Sequence, residues 1–266
     1  MTQSTDRVER LTRFLLVAIA GMLVLLLILT VVFFITKPST PSADKPADQP
    51  ADTQPVDDGV TLTATADAGI AYQDRIIFVG DSLTAHLVNR GVLSGGTETK
   101  QVWCPENNMM NLNSEVAAAR IVYPETGEKM TVAEAAAKAK PEIMIITLGT
   151  DWGVSYLSES EFKSYYSGLI KAIQAASPNT KIILQSIFPV TDFCPNLTNG
   201  KIDTANKWVK AIASENGCRY LDTQTVLKDD KNNLKAEYCN STDGIHLKTE
   251  AYTVILQYIR THALTE

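Results

Sequence analysis

Nowhere in these 266 residues does a run of Lys and Arg interleave with aromatic side chains, and the formal net charge is −6. A nucleic-acid surface needs a basic stripe to neutralise phosphates, so the composition argues against such a partner. No two cysteines stand in C-x-x-C spacing, which disfavours a zinc site or a thioredoxin-like redox pair. The Asp229-Asp230 stretch lacks the ligand spacing of a calcium loop, so no metal is assigned, and nothing implies a cofactor. No internal repeat is visible. Histidine is scarce, three in the whole chain, so one with a carboxylate close in sequence stands out.

Charge is also missing from one long stretch. Phe14 to Thr36, 23 residues of mostly Leu, Val, Ile, Phe and Ala, carries none. As a helix it would reach about 34 Å at 1.5 Å per residue, enough to cross a hydrocarbon core of roughly 30 Å. A secretory signal is the rival reading, but its apolar part is usually about 7–15 residues and ends at small residues. This run is longer and closes in Phe33-Phe34-Ile35-Thr36-Lys37. The expectation is an uncleaved transmembrane helix over 14–36. Arg7, Arg10 and Arg13 on the short side, against Lys37 and Lys45 on the other, keep residues 1–13 in the cytoplasm. The remainder is then exported, a single-pass protein of the cell membrane. Residues 37–70 begin with five prolines, Pro38, Pro41, Pro46, Pro50 and Pro55, among Ser, Thr, Ala, Asp and Gln. Such a segment buries too little to offset its ordering entropy and reads as a disordered stalk.

No cysteine precedes the anchor; Cys104, Cys194, Cys218 and Cys239 all follow it. An oxidising compartment permits three pairings, and four buried free thiols are the alternative. Cys104, Cys194 and Cys239 all follow strands on the expected site side, so a bond among them is expected, preferably Cys194 to Cys239, with Cys218 left over.

From residue 71 the pattern alternates. Arg75–Val79, Lys100–Trp103, Ile143–Leu148, Lys181–Ser186 and Cys218–Leu221 read as strands. Helices are expected from Ser82, over Thr131–Lys140, Glu161–Ala176 and Asp203–Glu215. A last helix carries Leu247, Ala251, Val254, Ile255, Tyr258 and Ile259 on one apolar face. Apolar strands alternating with helices imply a parallel sheet covered on both faces, with the ligand site beyond the strands' carboxyl ends.

Two short blocks carry chemistry. The first strand runs into Gly80-Asp81-Ser82-Leu83, setting a serine at a strand-to-helix turn where helix N–H groups favour a developing anion. Ser82 or Asp81 could equally be a helix cap. Near the other end stands Asp243-Gly-Ile-His246, directly before the last helix. A serine nucleophile needs a base, and a histidine base needs an orienting carboxylate; a structural histidine is the alternative.

Together these blocks resemble the SGNH/GDSL hydrolases, the first their nucleophile motif and Asp243-Gly244-Ile245-His246-Leu247 their terminal D-x-x-H motif. The resemblance covers about residues 72–263. It implies an α/β fold, a three-layer sandwich around a parallel, flavodoxin-like five-stranded sheet. It also implies Ser82 as nucleophile on a carboxyl ester, His246 as base and Asp243 as its orienter. The family's oxyanion hole uses the serine N–H, a glycine N–H after the second strand and an asparagine after the third. Here Gly149-Thr150-Asp151-Trp152-Gly153 puts Asp151 at the asparagine position, and Cys104–Asn108 holds Asn107 and Asn108 where the glycine belongs. An ionised aspartate cannot donate to an oxyanion. Asp151 is then protonated in a dry site, turned away, or a cause of weak catalysis. His86, one helical turn after Ser82, could line the pocket or sit at the surface. Trp103 and Trp152 could stack on sugar rings at the site edge or pack inside.

The resulting expectation is an exported, anchored ester hydrolase with no cofactor, acting on an O-acyl group of an envelope glycan or on a lipid ester. A catalytically weakened binding module and an acyltransferase using the same residues are the alternatives.

Overall fold

The computed structural model describes residues 58–150, 152–240 and 242–265. The expected transmembrane segment and most of the stalk lie outside them; among the described residues no helix is long and apolar enough to cross a membrane.

Five short strands make one parallel sheet: β1 (Ile76–Gly80), β2 (Val102–Trp103), β3 (Ile143–Thr147), β4 (Lys181–Gln185) and β5 (Arg219–Leu221). Their spatial order is β2-β1-β3-β4-β5, the flavodoxin-like winding. β1 and β3 run in register from Ile76 opposite Ile143 to Gly80 opposite Thr147. The pleat sorts the apolar strand residues onto two faces. Val79, Met144, Ile146 and Leu184 enter one core, with α2 (Val132–Ala139), α3 (Glu159–Ala176) and α4 (Asn199–Glu215). Ile76, Phe78, Ile143, Ile145 and Ile183 enter the other, with α1 (Ser82–Asn89) and α5 (Thr249–Arg260). The three layers follow from strands with no polar face to offer water.

Local signals set the helix ends. α2 and α3 open with capping boxes, Thr131 with Glu134 and Ser158 with Glu161, each satisfying two otherwise unpaired N–H groups. α2 stops at Lys140 in the left-handed region, just before Pro141. An antiparallel hairpin of Arg120–Val122 with Lys129–Thr131 was not anticipated; each arm has three residues, and a charged residue interrupts its apolar pattern.

Two expectations are corrected. The stalk does not extend to residue 70. The Leu62 N–H donates to the Tyr220 carbonyl (2.8 Å) and the Tyr220 N–H to the Val60 carbonyl (2.9 Å), so Val60–Leu62 covers the open edge of β5. Leu62 is buried, and Asp58 pairs with Lys210 at 2.5 Å. Nor is there a disulfide: all four cysteines are free and buried. Each behaves as a small apolar residue with a weak S–H donor, Cys104 to the Asp81 carbonyl (3.7 Å) and Cys239 to the Asn240 carbonyl (3.3 Å). Burial raises the Cys218 thiol to about 11, keeping it protonated.

Full burial of one leucine side chain contributes about 1.5–3 kcal/mol. A soluble chain beginning at residue 71 should therefore melt roughly 3–12 °C below one beginning at Asp58. Equal midpoints by circular dichroism would show that the Val60–Leu62 strap adds nothing.

Candidate active site

Ser82 is the first residue of α1, directly beyond the carboxyl end of β1. The turn is tight because β1 and β3 end in register and α1 starts at once. A Cβ on Gly80 would lie 2.1 Å from Thr84 Oγ1 and 2.5 Å from the Thr147 carbonyl, so only glycine fits. The helix cap is Asp81, whose Oδ1 accepts the Leu83 N–H at 3.0 Å. With the cap supplied there, the Ser82 hydroxyl bonds elsewhere. Its Oγ lies 3.1 Å from His246 Nε2, across 164 residues of sequence.

His246 is carried by the loop before α5. Asp243 Oδ1 accepts the N–H groups of Ile245 (2.8 Å) and His246 (2.9 Å), folding the loop on itself. Its other oxygen meets His246 Nδ1 at 2.5 Å. Gly244 permits this turn, with φ 75°, and a Cβ there would meet Thr191 Oγ1 at 2.3 Å. Partial burial acts to raise the Asp243 pKa, but the backbone N–H and ring of His246 and the Ile245 N–H more than offset it. The carboxyl is held below its ordinary value and stays ionised. An ionised acceptor on Nδ1 leaves Nε2 free to accept a proton.

Neighbouring elements brace the pair. The Thr191 N–H donates to the Gly244 carbonyl (3.0 Å), and the Asn240 N–H to the His246 carbonyl (2.8 Å). Tyr252 of α5 donates to the Leu83 carbonyl (2.8 Å), tying the histidine's helix to the serine's. Neither Thr191 nor Tyr252 was anticipated; only the position of Tyr252 in the last helix, beside its apolar stripe, hinted at a role. His86 packs against His246, ring centroids 5.0 Å apart. Burial, then the His246 and Arg90 charges, lower its pKa and keep it neutral.

The remaining expected residues divide. Trp152 is half exposed and stacked on Tyr156 at 4.7 Å. Trp103 is not at the site edge; it is 1% exposed and packs edge-on against Tyr123. Asn107 is exposed, with its Oδ1 engaged by the Met109 N–H (3.1 Å). Asn108 adopts a left-handed backbone and lines a groove with Ala85, Val88 and Asn89, along the flank of α1. Asp151 lies outside the described residues.

A hydroxyl, an imidazole and an ionised carboxylate stand joined in that order at the carboxyl edge of a parallel sheet, the groups that serine hydrolases use as nucleophile, base and orienter. The chain belongs to the GDSL-like lipase/acylhydrolase family, whose model matches residues 78–254 and so spans both Ser82 and His246. No curated protein matches the sequence. Among solved structures it is similar to a GDSL-like lipase from Bacteroides thetaiotaomicron, with 18% identity, TM-score 0.51, and 73% of this chain and 89% of that one covered. It is also similar to the periplasmic domain of a lipopolysaccharide acetyltransferase from Salmonella ser. Paratyphi A, with 16% identity, TM-score 0.50, and 70% and 82% covered. At such identities the likeness is one of fold.

Two outcomes follow for the site's architecture. Gly80→Ala should destabilise the domain by about 1–3 kcal/mol, because one of the two clashes is with backbone; an unchanged melting midpoint would contradict the packing. The lowered Asp243 pKa makes its contribution to stability full above the unfolded value of 3.8 and lost as pH falls through the lower folded value. The stability difference between wild type and Asp243→Asn should shrink as pH falls below about 4. A difference that instead grows on acidification would reverse the sign of the shift.

Proposed function

We propose that this protein is a membrane-anchored, extracytoplasmic carboxyl-ester hydrolase working through an acyl-serine intermediate. The observation that carries the reading is the unbroken chain from Ser82 Oγ through the His246 ring to Asp243. Ser82 Oγ adds to the ester carbonyl while His246 Nε2 takes the hydroxyl proton. The tetrahedral oxyanion forms beside the start of α1, where the Ser82 N–H lacks a helical partner and can donate, the Leu83 N–H being held by the Asp81 cap. Collapse expels the alcohol, which receives the proton back from His246. Water, deprotonated by the same nitrogen, then releases the acid and regenerates Ser82. Asp243 stays ionised throughout, holding the ring's tautomer and offsetting its transient charge.

The location rests on the apolar run at 14–36 and the arginines before it. An exported domain on a tether of about 20 residues, 37–57, works close to the membrane, where the available esters are O-acyl groups on envelope glycans and lipid esters.

The test is turnover of an aryl acetate together with labelling by a fluorophosphonate. Ser82→Ala should abolish both while the protein stays folded, and Asp243→Asn should lower kcat by about 10⁴. Labelling that survives Ser82→Ala would sink the assignment. Asp151→Asn supplies a neutral donor where the family carries asparagine. It should raise turnover about tenfold or more, since one such donor is worth about 2.7–4 kcal/mol. A rate and pH profile identical to wild type would remove Asp151 from the oxyanion hole.

A further inference from the structure

Beside the catalytic loop lies a cavity of about 340 Å³ that the chemistry above does not use. That volume is at the small end of the roughly 300–1,000 Å³ range of small-molecule sites. Its walls are bonded to the loop that carries His246. Thr191 reaches the Gly244 carbonyl, Cys239 bridges Leu247, and Lys248 donates to the Tyr238 carbonyl. The lining mixes signs, with Lys231 and Lys248 against Asp192 and Asp229, beside the amide of Asn233. Thr191, 6% exposed, has an Oγ1 with no hydrogen-bond partner among the described residues. At the rim stands Phe193, 56% exposed.

Phe193 is not isolated. The large exposed apolar side chains among the described residues are Ile70, Met109, Trp152, Tyr156 and Phe193. Three of these five stand on the segments that follow the adjacent strands β3 and β4. Those segments are tied together where Ser155 Oγ donates to the Asn196 carbonyl (3.2 Å). Trp152 holds φ 67°, a costly conformation for a bulky residue, and is not repaid by burial. Phe193 gives an open aromatic face at the rim of a cavity of mixed, nearly balanced charge, which suits one ligand chemistry. A saccharide stacks its C–H face on a ring and turns hydroxyls, which both donate and accept, to lysine, aspartate and amide alike. An acyl chain in the same cavity would offer those groups no hydrogen bond.

We propose that this cavity and its aromatic rim form a saccharide subsite, so that the acyl group presented to Ser82 is borne by a neutral glycan. It rests on the hydrolase reading only in calling the bound sugar part of a substrate; binding itself needs no turnover.

The test is therefore a binding measurement on the full-length protein, by saturation-transfer NMR, with chitotriose, xylotriose and soluble dihexanoylphosphatidylcholine as probes. At least one trisaccharide should bind, should bind Ser82→Ala equally well, and should lose at least fivefold in affinity with Phe193→Ala. The melting midpoint of that variant should match wild type, because the side chain is exposed. Asp192→Ala, which removes an exposed acceptor from the lining, provides a second, independent loss. The proposal is overturned if neither trisaccharide binds, if binding ignores both substitutions, or if the phospholipid alone binds in a Phe193-dependent way. Aryl acetate turnover, measured in parallel, reports on the hydrolase reading separately.

Discussion

The bond between Ser82 Oγ and His246 Nε2 joins two residues 164 apart in sequence, and the rest of the site is arranged to hold those two atoms at 3.1 Å. Neither group is useful alone: an unassisted serine hydroxyl is a poor nucleophile, and an imidazole without an orienting carboxylate can present the wrong nitrogen. The fold meets the distance by delivering each partner at an end of a helix on the same face of the sheet. α1 begins with the serine, and α5 follows the histidine by three residues. Both helices pack into one core, and the Tyr252 hydroxyl on the Leu83 carbonyl bonds them directly.

Tight backbone approach is the second constraint, and glycine supplies it twice. Gly80 lets the first turn of α1 close against the end of β3, and Gly244 lets the Asp243 turn close against Thr191. In both places the glycine stands two positions before a member of the Ser82–His246 pair. The glycines of the two short motifs thus have a steric reason that does not depend on any substrate. They allow a strand end and a loop to come closer than any side chain would allow.

Much of this was legible in the sequence. The apolar run Ile143–Ile146 reads as a buried strand and is one, whereas the start of α3 was read at Glu161, two residues inside the helix that Ser158 caps. The motif residues converge because the sheet order brings β1 beside β3 and the chain's last helix beside its first site helix. What was not legible depends on contacts with no local signature. The strap at Val60–Leu62 lies past the last proline of the Pro-rich segment and alternates Val-Thr-Leu-Thr, a signal too short to read as a strand without the unpaired edge of β5. Trp103 was read as following a strand as Trp152 follows β3, yet it is the last residue of β2, buried against Tyr123, while Trp152 is half exposed. That difference is set by the hairpin, which no periodicity announced. The cysteines suggested bridges through compartment logic, whereas each is packed singly in a core.

The account stands or falls on whether Ser82 becomes acylated. Rapid quench of the full-length protein with an aryl acetate in acid, followed by peptide mass mapping, measures this directly. The account predicts one acetyl group on the peptide containing Ser82, accumulating in wild type and absent from His246→Ala. Release of product with no acylated peptide at any time, or an acetyl group on another residue, would contradict it.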